Sequence, residues 1–241
     1  MALPSCPGLK AVVFDLDGTL IDSAPDLASA LNRLLAMEGL RPVSLADIHM
    51  MVGDGVAKLV ERGFAAHGRS LATAELEDLT RRFVVDYEPN SAVETRPFPG
   101  AVEALGELRG EGLALGVCTN KPEAATRAIL AAFGMDAYIS AVVGGDTLPG
   151  ARKPDPATLL ETLRRLGATS GQAIAVGDSP NDVGAARAAG VPVIAVSFGY
   201  TRVPPHRLGA DRLIDRFADL RAALAEVARD CLALTPVPGA P

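Results

Sequence analysis

The stretch that decides the fold of this chain is Lys10-Ala11-Val12-Val13-Phe14-Asp15-Leu16-Asp17-Gly18-Thr19-Leu20. Its first half is apolar, which predicts a buried strand. In extended chain, residues two apart point to the same side, so Asp15 and Asp17 can reach one reacting centre. Gly18 permits a sharp turn and Thr19 adds a hydroxyl, a set suited to a divalent cation beside a nucleophilic carboxylate. The alternative is a loop that only ends the strand.

The composition favours helices packed on a parallel sheet and argues against several classes of partner. Of the 241 residues, 49% are hydrophobic and only 4% are aromatic, so small aliphatic side chains must build the core. The net charge of −6 argues against nucleic acid bound through a basic surface. We find no apolar stretch near the roughly 20 residues of a membrane span and no secretory signal. We therefore expect a cytoplasmic protein without a membrane or nucleic-acid partner, a monomer or a homodimer.

Short apolar runs alternate with helical patterns over most of the chain. This alternation predicts an α/β fold, with a Rossmann-like parallel sheet flanked by helices. After the first strand, further strands are predicted at residues 113–118, 138–143, 173–176, 192–196 and 212–214. Helices are predicted at residues 100–109, 122–133, 155–166, 180–189 and 218–232. The Pro- and Gly-rich residues 235–241 should form a frayed tail.

One block breaks this alternation, because it contains only helical patterns. These lie at residues 24–37, 45–51, 56–66 and 74–87, with Ser44 and Thr73 as expected N-caps. We predict an all-helical cap domain of residues 22–92 inserted into a core domain of residues 1–21 and 93–241. The expected linkers are residues 21–23 and 91–99. Ligands of open α/β sheets bind outside the carboxyl ends of strands, so this cap would lie above that site and exclude water.

Three further groups of polar residues lie at the ends of predicted elements. They are Thr119-Asn120, Lys153-Pro154 and Gly177-Asp178-Ser179-Pro180-Asn181-Asp182. Each has a structural explanation alone: Thr119, Asp178 or Ser179 could cap a helix, and Lys153 could be solvated. Because the carboxyl ends of parallel strands meet at one edge of a sheet, the groups together predict a single site with the two acids of the first strand.

Taken in order, these motifs resemble those of the haloacid-dehalogenase-like phosphohydrolases. They read Asp15-x-Asp17-Gly18-Thr19, Thr119-Asn120, Lys153-Pro154 and Gly177-Asp178-x-x-x-Asp182, and the match covers essentially the whole chain. The resemblance implies an aspartyl-phosphate on Asp15, with Asp17 as general acid and then base. It implies Mg²⁺ held by Asp15, the main-chain carbonyl of Asp17 and Asp178. It also implies that Thr119 and Lys153 bind the phosphoryl oxygens, and that Asp182 supports the metal or orients Lys153.

Finer features resemble the bacterial phosphoglycolate phosphatases within this family. They lie at residues 20–27, 52–55, 119–122, 198–201 and 209–215. The family's dehalogenases lack the second acid, whereas Asp17 is present here. Relatives that cleave phosphonates use a lysine near the start of the cap, and residues 22–27 contain none. The resemblance therefore implies a small anionic substrate, 2-phosphoglycolate, which carries a carboxylate besides its phosphate.

The carboxylate of such a substrate needs a second anion site from the cap. We hypothesise that backbone N–H groups between Gly53 and Gly55 supply it, helped by Lys58 or Arg62. Asn120 is expected to contact the substrate from the core side. The alternative for the two glycines is a simple turn between helices.

Other functions remain open at this stage. The same chemistry could serve a sugar phosphate, a nucleotide or pyrophosphate, or the chain could be a sugar phosphomutase of the same fold. A regulatory or binding protein without turnover is a further alternative, which the presence of both Asp15 and Asp17 argues against. Mn²⁺ or Co²⁺ could replace Mg²⁺, since all three accept oxygen ligands.

Overall fold

The centre of the fold is strand β1, Ala11–Phe14, whose residues are all buried. The computed structural model describes residues 8–232 of the chain. In it β1 pairs in parallel with β4, Ala114–Cys118, on one side and β6, Ala173–Gly177, on the other. The outer strands are β5, Ile139–Val143, β7, Val193–Val196, and β8, Arg212–Ile214. Every neighbouring pair in the order β5-β4-β1-β6-β7-β8 is parallel, which confirms the predicted fold class.

Helices cover both faces of this sheet, because alternate residues of β1 point to opposite sides. Val12 and Phe14 pack with α5, Ala101–Gly110, α6, Glu123–Ala132, and α9, Leu220–Val227. Ala11 and Val13 pack with α7, Ala157–Leu166, and α8, Pro180–Ala188. Burial on both faces explains why the strands are continuous apolar runs, which is what made them visible in the sequence.

Four helices between β1 and α5 form a separate apolar cluster. They are α1, Ala24–Met37, α2, Leu45–Met51, α3, Val56–Ala65, and α4, Thr73–Tyr87. Their buried side chains, including Leu31, Phe64 and Phe83, pack against one another rather than into the sheet. The predicted helices are thus confirmed, while the division into core residues 1–21 and 93–241 and cap residues 22–92 stays a prediction.

The two helix starts in this segment turned out differently. Ser44 caps α2 with a capping box, in which its hydroxyl and the Asp47 carboxylate each bond to the other's main chain. The prediction for Thr73 was wrong, because Thr73 is the first helical residue and Ala72 occupies the N-cap position without a side-chain bond. The backbone of Ala72 is extended and the helical conformation begins at Thr73. A helix capped by Thr73 would begin one residue later.

The predicted linkers contain a short antiparallel ribbon. Strand β2, Ile21–Asp22, pairs with β3, Arg96–Pro97, so both crossings between sheet and helical segment run side by side. Strands of two residues carry no periodicity, which is why the sequence did not reveal them. The tail predicted at residues 235–241 lies outside the described residues. Among the helices of residues 8–232, none is long and apolar enough to cross a membrane.

Candidate active site

The sheet order brings three groups of polar residues together. Strands β4, β1 and β6 are neighbours, and they end at Cys118, Phe14 and Gly177. Thr119, Asp15 and Asp178 are the next residues along the chain, so they emerge side by side at one edge of the sheet. This is the carboxyl edge at which ligands of open α/β sheets bind.

Three carboxylates converge at this edge. Oxygen atoms of Asp15, Asp178 and Asp182 all lie within 4.8 Å of one another. Burial raises the pKa of the Asp178 carboxyl well above its usual range, and the charges of Asp182 and Asp15 raise it further. Burial likewise raises the pKa of Asp15, against the lowering effect of Lys153. Buried like charges of this kind are stabilised by a cation, and hard carboxylate oxygens are the ligands that divalent cations such as Mg²⁺ prefer.

Lys153 supplies one positive charge to this cluster. Its Nζ lies 2.7 Å from Asp15 Oδ1 and 2.6 Å from Asp182 Oδ1. Burial alone would lower the pKa of this lysine, but the charges of Asp15 and Asp182 outweigh it and keep the group protonated. Lys153 is therefore a buried ion-pair partner rather than a solvated lysine, and Asp182 is placed to orient it.

The start of α8 fixes Asp182. Ser179 is the N-cap, and its hydroxyl and N–H both donate to Asp182 Oδ2, at 2.6 Å and 2.9 Å. The structural explanation for Ser179 as a helix cap is thus confirmed, and it holds a functional carboxylate in place at the same time. Thr119 is not a cap, because α6 begins after Pro122 and Thr119 lies buried in the loop before it.

Gly18 is required by the closeness of the two acidic loops. Its φ of +90° is left-handed, and a Cβ there would lie 2.4 Å from Asp178 Oδ2. The turn also places the Thr19 hydroxyl 3.2 Å from Asp178 Oδ1, to which it donates. The sequence-based expectation of a tight turn that brings a hydroxyl to the acids is therefore confirmed.

Asp17 lies apart from the three clustered carboxylates and has partners of its own. It accepts hydrogen bonds from the Ser23 hydroxyl at 2.5 Å and from Lys121 Nζ at 3.1 Å and 3.3 Å. Lys121 also donates to the Tyr87 hydroxyl at 2.8 Å. Neither Lys121 nor Tyr87 was predicted to have a role. A signal for Lys121 existed, since it lies two residues beyond Thr119 in the same loop.

Lys121 is held deep inside the protein. Its side chain is only 3% exposed, and its ammonium lies 4.7 Å from the centre of the Tyr87 ring. Burial alone would lower the pKa of Lys121, but the charges and hydrogen bonds of Asp17 and Tyr87 together outweigh it and raise the pKa. The ammonium is therefore a fixed positive charge beside the second carboxylate of the first motif.

A small cavity of about 40 Å³, partly open to solvent, lies between the strand ends and the helical segment. On the sheet side it is lined by Asp15, Asp17, Thr119, Asn120 and Lys121. On the helical side it is lined by Leu27, Val52, Gly53, Gly55, Val56 and Leu59. The polar groups therefore lie on one wall and the apolar side chains on the other, with both glycines of the predicted anion site in the lining.

The loop of residues 52–55 is fastened to the core by three side chains. Gly53 O accepts from Asn120 Nδ2 at 3.0 Å and from Asn181 Nδ2 at 3.2 Å. Asp54 accepts from Asn181 at 2.6 Å and from Arg202 at 2.8 Å. Burial alone would raise the pKa of Asp54, but hydrogen bonds from Asn181, Arg202 and Arg62 outweigh it and lower the pKa to about 2.

The structure does not bring two of the predicted cations to the cavity. Arg62 donates to Met51 O at 2.7 Å and pairs with Asp54, so it supports the 52–55 loop from behind. Lys58 is exposed and pairs with Glu61. Helical spacing shows which face of a helix a residue occupies, but it does not show which acidic side chain pairs with it. The anion-binding role suggested for Arg62 or Lys58 therefore has no geometric support.

Asn120 lines the cavity, but its amide is already engaged. Its Nδ2 donates to Gly53 O and to Lys153 O at 3.1 Å, and its Oδ1 accepts from Lys153 N at 2.9 Å. It therefore joins the loop of residues 52–55 to the loop that carries Lys153. Its predicted contact with substrate stays a prediction.

Comparison with known proteins agrees with this geometry. Residues 12–196 match the family model of haloacid dehalogenase-like hydrolases. A phosphoglycolate phosphatase of Rhodospirillum rubrum is 48% identical over 215 residues, which cover 88% of this chain and 89% of that protein. One from Caulobacter vibrioides is 44% identical over 220 residues, or 91% of this chain and 92% of that protein.

A solved structure shows the same fold. The crystal structure of a predicted phosphoglycolate phosphatase from Haemophilus somnus superposes with a TM-score of 0.84 at 34% identity, covering 90% of this chain and 98% of that one. The family match spans most of the chain and includes all the strand ends that carry the site. The chain belongs to the haloacid dehalogenase-like hydrolases.

Proposed function

We propose that this chain is a Mg²⁺-dependent phosphomonoester hydrolase that acts on 2-phosphoglycolate through a phosphoryl group carried on Asp15. The observation that carries the proposal is the Asp15 carboxylate, which pairs with Lys153 at 2.7 Å and lines a small cavity that Asp17 also lines. The names of the similar proteins from Rhodospirillum rubrum and Caulobacter vibrioides supply the substrate.

The first step transfers the phosphoryl group to the protein. An Asp15 oxygen forms a bond to phosphorus while the bond from phosphorus to the substrate's alkoxide oxygen breaks. Asp17 gives its proton to that oxygen, so glycolate leaves with a hydroxyl group. The closeness of Asp15 and Asp17 in the cavity wall lets one group attack while the other protonates.

The second step returns the protein to its starting state. Asp17, now a carboxylate, takes a proton from water as the water oxygen bonds to phosphorus and the bond to Asp15 breaks. Inorganic phosphate is the product. Ser23 and Lys121 hold the Asp17 carboxylate by hydrogen bonds, which keeps one residue in position for both proton transfers.

Charge on the phosphoryl oxygens must be neutralised during both steps. Lys153 lies beside Asp15 and can donate to a phosphoryl oxygen, and the Thr119 hydroxyl lines the same cavity. The residues fit a divalent cation as well, since the three clustered carboxylates have only one lysine among them. Asp15, Asp178 and the main-chain carbonyl of Asp17 would hold Mg²⁺. When bound, the ion supplies charge neutralisation at the phosphoryl group.

The size of the cavity supports a small substrate. A buried water needs roughly 10–15 Å³ of such space, so about 40 Å³ admits only a group of a few atoms. We take residues 22–92 as the cap that closes this space and excludes water from the phosphoryl group. A nucleotide or sugar phosphate would require the loop of residues 52–55 to leave its contacts with Asn120 and Asn181.

Phosphate release from 2-phosphoglycolate tests the proposal, beside sugar phosphates, nucleotides and pyrophosphate, all with Mg²⁺. We expect kcat/KM for 2-phosphoglycolate to exceed that of every other compound by at least about tenfold. Asp15→Asn should abolish release, while Asp136→Asn, at an exposed site, should not. Equal rates across the panel would contradict the assignment of 2-phosphoglycolate as the substrate. Release that survives in Asp15→Asn would remove the mechanism.

A further inference from the structure

Lys121 is a buried charged residue that the hydrolysis mechanism uses only as a support for Asp17. Among the residues that the structure describes, it is the only lysine or arginine in the lining of the cavity. Its ammonium has three N–H groups. The two Asp17 oxygens belong to one carboxylate, which one bifurcated N–H can serve, and the Tyr87 hydroxyl takes a second N–H, so the ammonium keeps a third donor for an anion.

The other cations near the cavity lie outside its lining, and each has a partner of its own: Arg152, whose guanidinium lies beside Gly55, donates its Nε–H to Gly145 O at 3.0 Å. Lys153 lies between Asp15 and Asp182, Arg62 and Arg202 pair with Asp54, and Lys58 pairs with Glu61. None of these side chains lines the cavity. Within the described residues, Lys121 is therefore the one cationic side chain in the cavity lining that could pair with a second anionic group of the substrate.

We propose that Lys121 is the cationic group that receives the substrate's carboxylate, and that it selects phosphomonoesters with an anion next to the phosphorylated carbon. The inference rests on the proposed function and names the residue behind its specificity. It places the charged part of the second anion site on the loop after β4 instead of on Lys58 or Arg62. The backbone of Gly53 and Gly55 then closes the cavity over the carboxylate.

The position of Lys121 relative to Asp17 fits this role. Asp17 must touch the alkoxide oxygen to protonate it, and Lys121 Nζ lies 3.1 Å from Asp17 Oδ1. In 2-phosphoglycolate the carboxylate carbon is only two bonds from that oxygen. A cation next to the acid is therefore next to the carboxylate too, whereas a cation on the far side of the cap would be beyond its reach.

The surroundings of Lys121 make the selection strong. A carboxylate taken into a water-excluded site loses its hydration, which is unfavourable unless a charged donor replaces it. Tyr87 fixes the ammonium through its hydroxyl and the face of its ring, so Lys121 is already in place before substrate enters. A neutral substrate of the same size would leave this donor without an anionic partner.

The test compares 2-phosphoglycolate with ethyl phosphate, which has the same two-carbon chain without the carboxylate. In Lys121→Met we expect the ratio of the two kcat/KM values to fall by about 30-fold, as for loss of one charge-assisted hydrogen bond. Lys10→Met, at an exposed lysine outside the site, should keep the wild-type ratio. A ratio that is unchanged in Lys121→Met, with both substrates slowed alike, would show that Lys121 only positions Asp17 and would overturn the inference.

Binding measurements keep the inference testable where turnover is lost. In the Asp15→Asn background, calorimetric titration should show that Lys121→Met raises the Kd for 2-phosphoglycolate by about 30-fold and the Kd for ethyl phosphate by much less. Equal weakening of both would again contradict the inference. A wild-type enzyme that does not prefer 2-phosphoglycolate to ethyl phosphate would instead remove the proposed substrate, so the two failures are distinguishable.

Discussion

Asn181 Nδ2 donates a hydrogen bond of 2.6 Å to Asp54 Oδ1 and so joins the first turn of α8 to the loop of residues 52–55. The next residue, Asp182, belongs to the carboxylate cluster. Arg202 reaches the same loop from the segment after β7, with bonds to Asp54 and to Met50 O at 2.7 Å. The position of the loop of residues 52–55 beside the cavity therefore depends on Asp54, to which the side chains of Asn181, Arg202 and Arg62 all bond.

Asp54→Asn should loosen the cavity without unfolding the protein. In the wild-type protein Arg62 and Arg202 both pair with the Asp54 carboxylate, and the neutral amide of the variant cannot balance their charges. We expect kcat/KM for 2-phosphoglycolate to fall by about tenfold, as for loss of one to two kcal/mol of closure. Asp86→Asn is the matched control, because Asp86 pairs with Arg33 on the outer side of α1 and α4. Equal losses in both variants would contradict the role of Asp54.

The pH dependence of the Asp54 contacts follows from its depressed pKa. The carboxyl has a pKa of about 2 in the folded protein against 3.8 ordinarily. A depressed pKa contributes stability that is present above the ordinary pKa and is lost as the pH falls toward the depressed one. The difference in unfolding free energy between wild type and Asp54→Asn should thus be constant above about pH 5 and shrink between pH 4 and 2. A difference that grows with acid would contradict this assignment.

Gly18→Ala should disrupt the site far more than an ordinary glycine substitution. The new Cβ would lie 2.4 Å from Asp178 Oδ2 at a φ of +90°. Gly39 is the control, since its φ is also positive, at +71°, but nothing lies within 4 Å of its Cβ position. We expect Gly39→Ala to cost about 1 kcal/mol of stability and keep activity, and Gly18→Ala to lose roughly a hundredfold in kcat/KM. Similar kinetics in the two variants would show that the Gly18–Asp178 contact does not matter.

Mg²⁺ should stabilise the folded protein through the acidic cluster. A ligand at about one hundred times its Kd adds roughly 2.7 kcal/mol, which raises Tm by about 5 °C or more for a chain of this size. Asp178→Asn should remove most of this rise in thermal unfolding scans with and without EDTA, because one buried ligand is lost. A rise of the same size in Asp178→Asn would place the ion elsewhere.

The part of the site that follows strands could be predicted from the sequence. Asp15 and Asp178 come directly after buried apolar runs, and neighbouring parallel strands bring their ends together without further information. The resemblance to a family added roles for Thr119 and Lys153; in the structure Lys153 bonds to Asp15, and Thr119 lines the cavity with Asp15. Local sequence rules suffice here because the sheet fixes the geometry.

Contacts between the sheet and the helical segment could not be predicted. Lys121 meets Tyr87 only because α4 packs over the loop after β4, and no periodicity reports on that packing. Arg62 was expected to contact the substrate, but it forms an ion pair with Asp54, eight residues earlier in the chain. Tertiary partners of long charged side chains depend on neighbours that only the folded chain defines.

The most direct test of the account is to look for the phosphoryl group on Asp15. Enzyme mixed with ³²P-labelled 2-phosphoglycolate and Mg²⁺ would be quenched in acid within the first turnover, and its peptides analysed by mass spectrometry. The proposed mechanism predicts a phosphorylated peptide that contains Asp15, formed fast enough to precede phosphate release and absent in Asp15→Asn. Phosphate released in the first turnover with no label on Asp15, or with label on another residue, would contradict it.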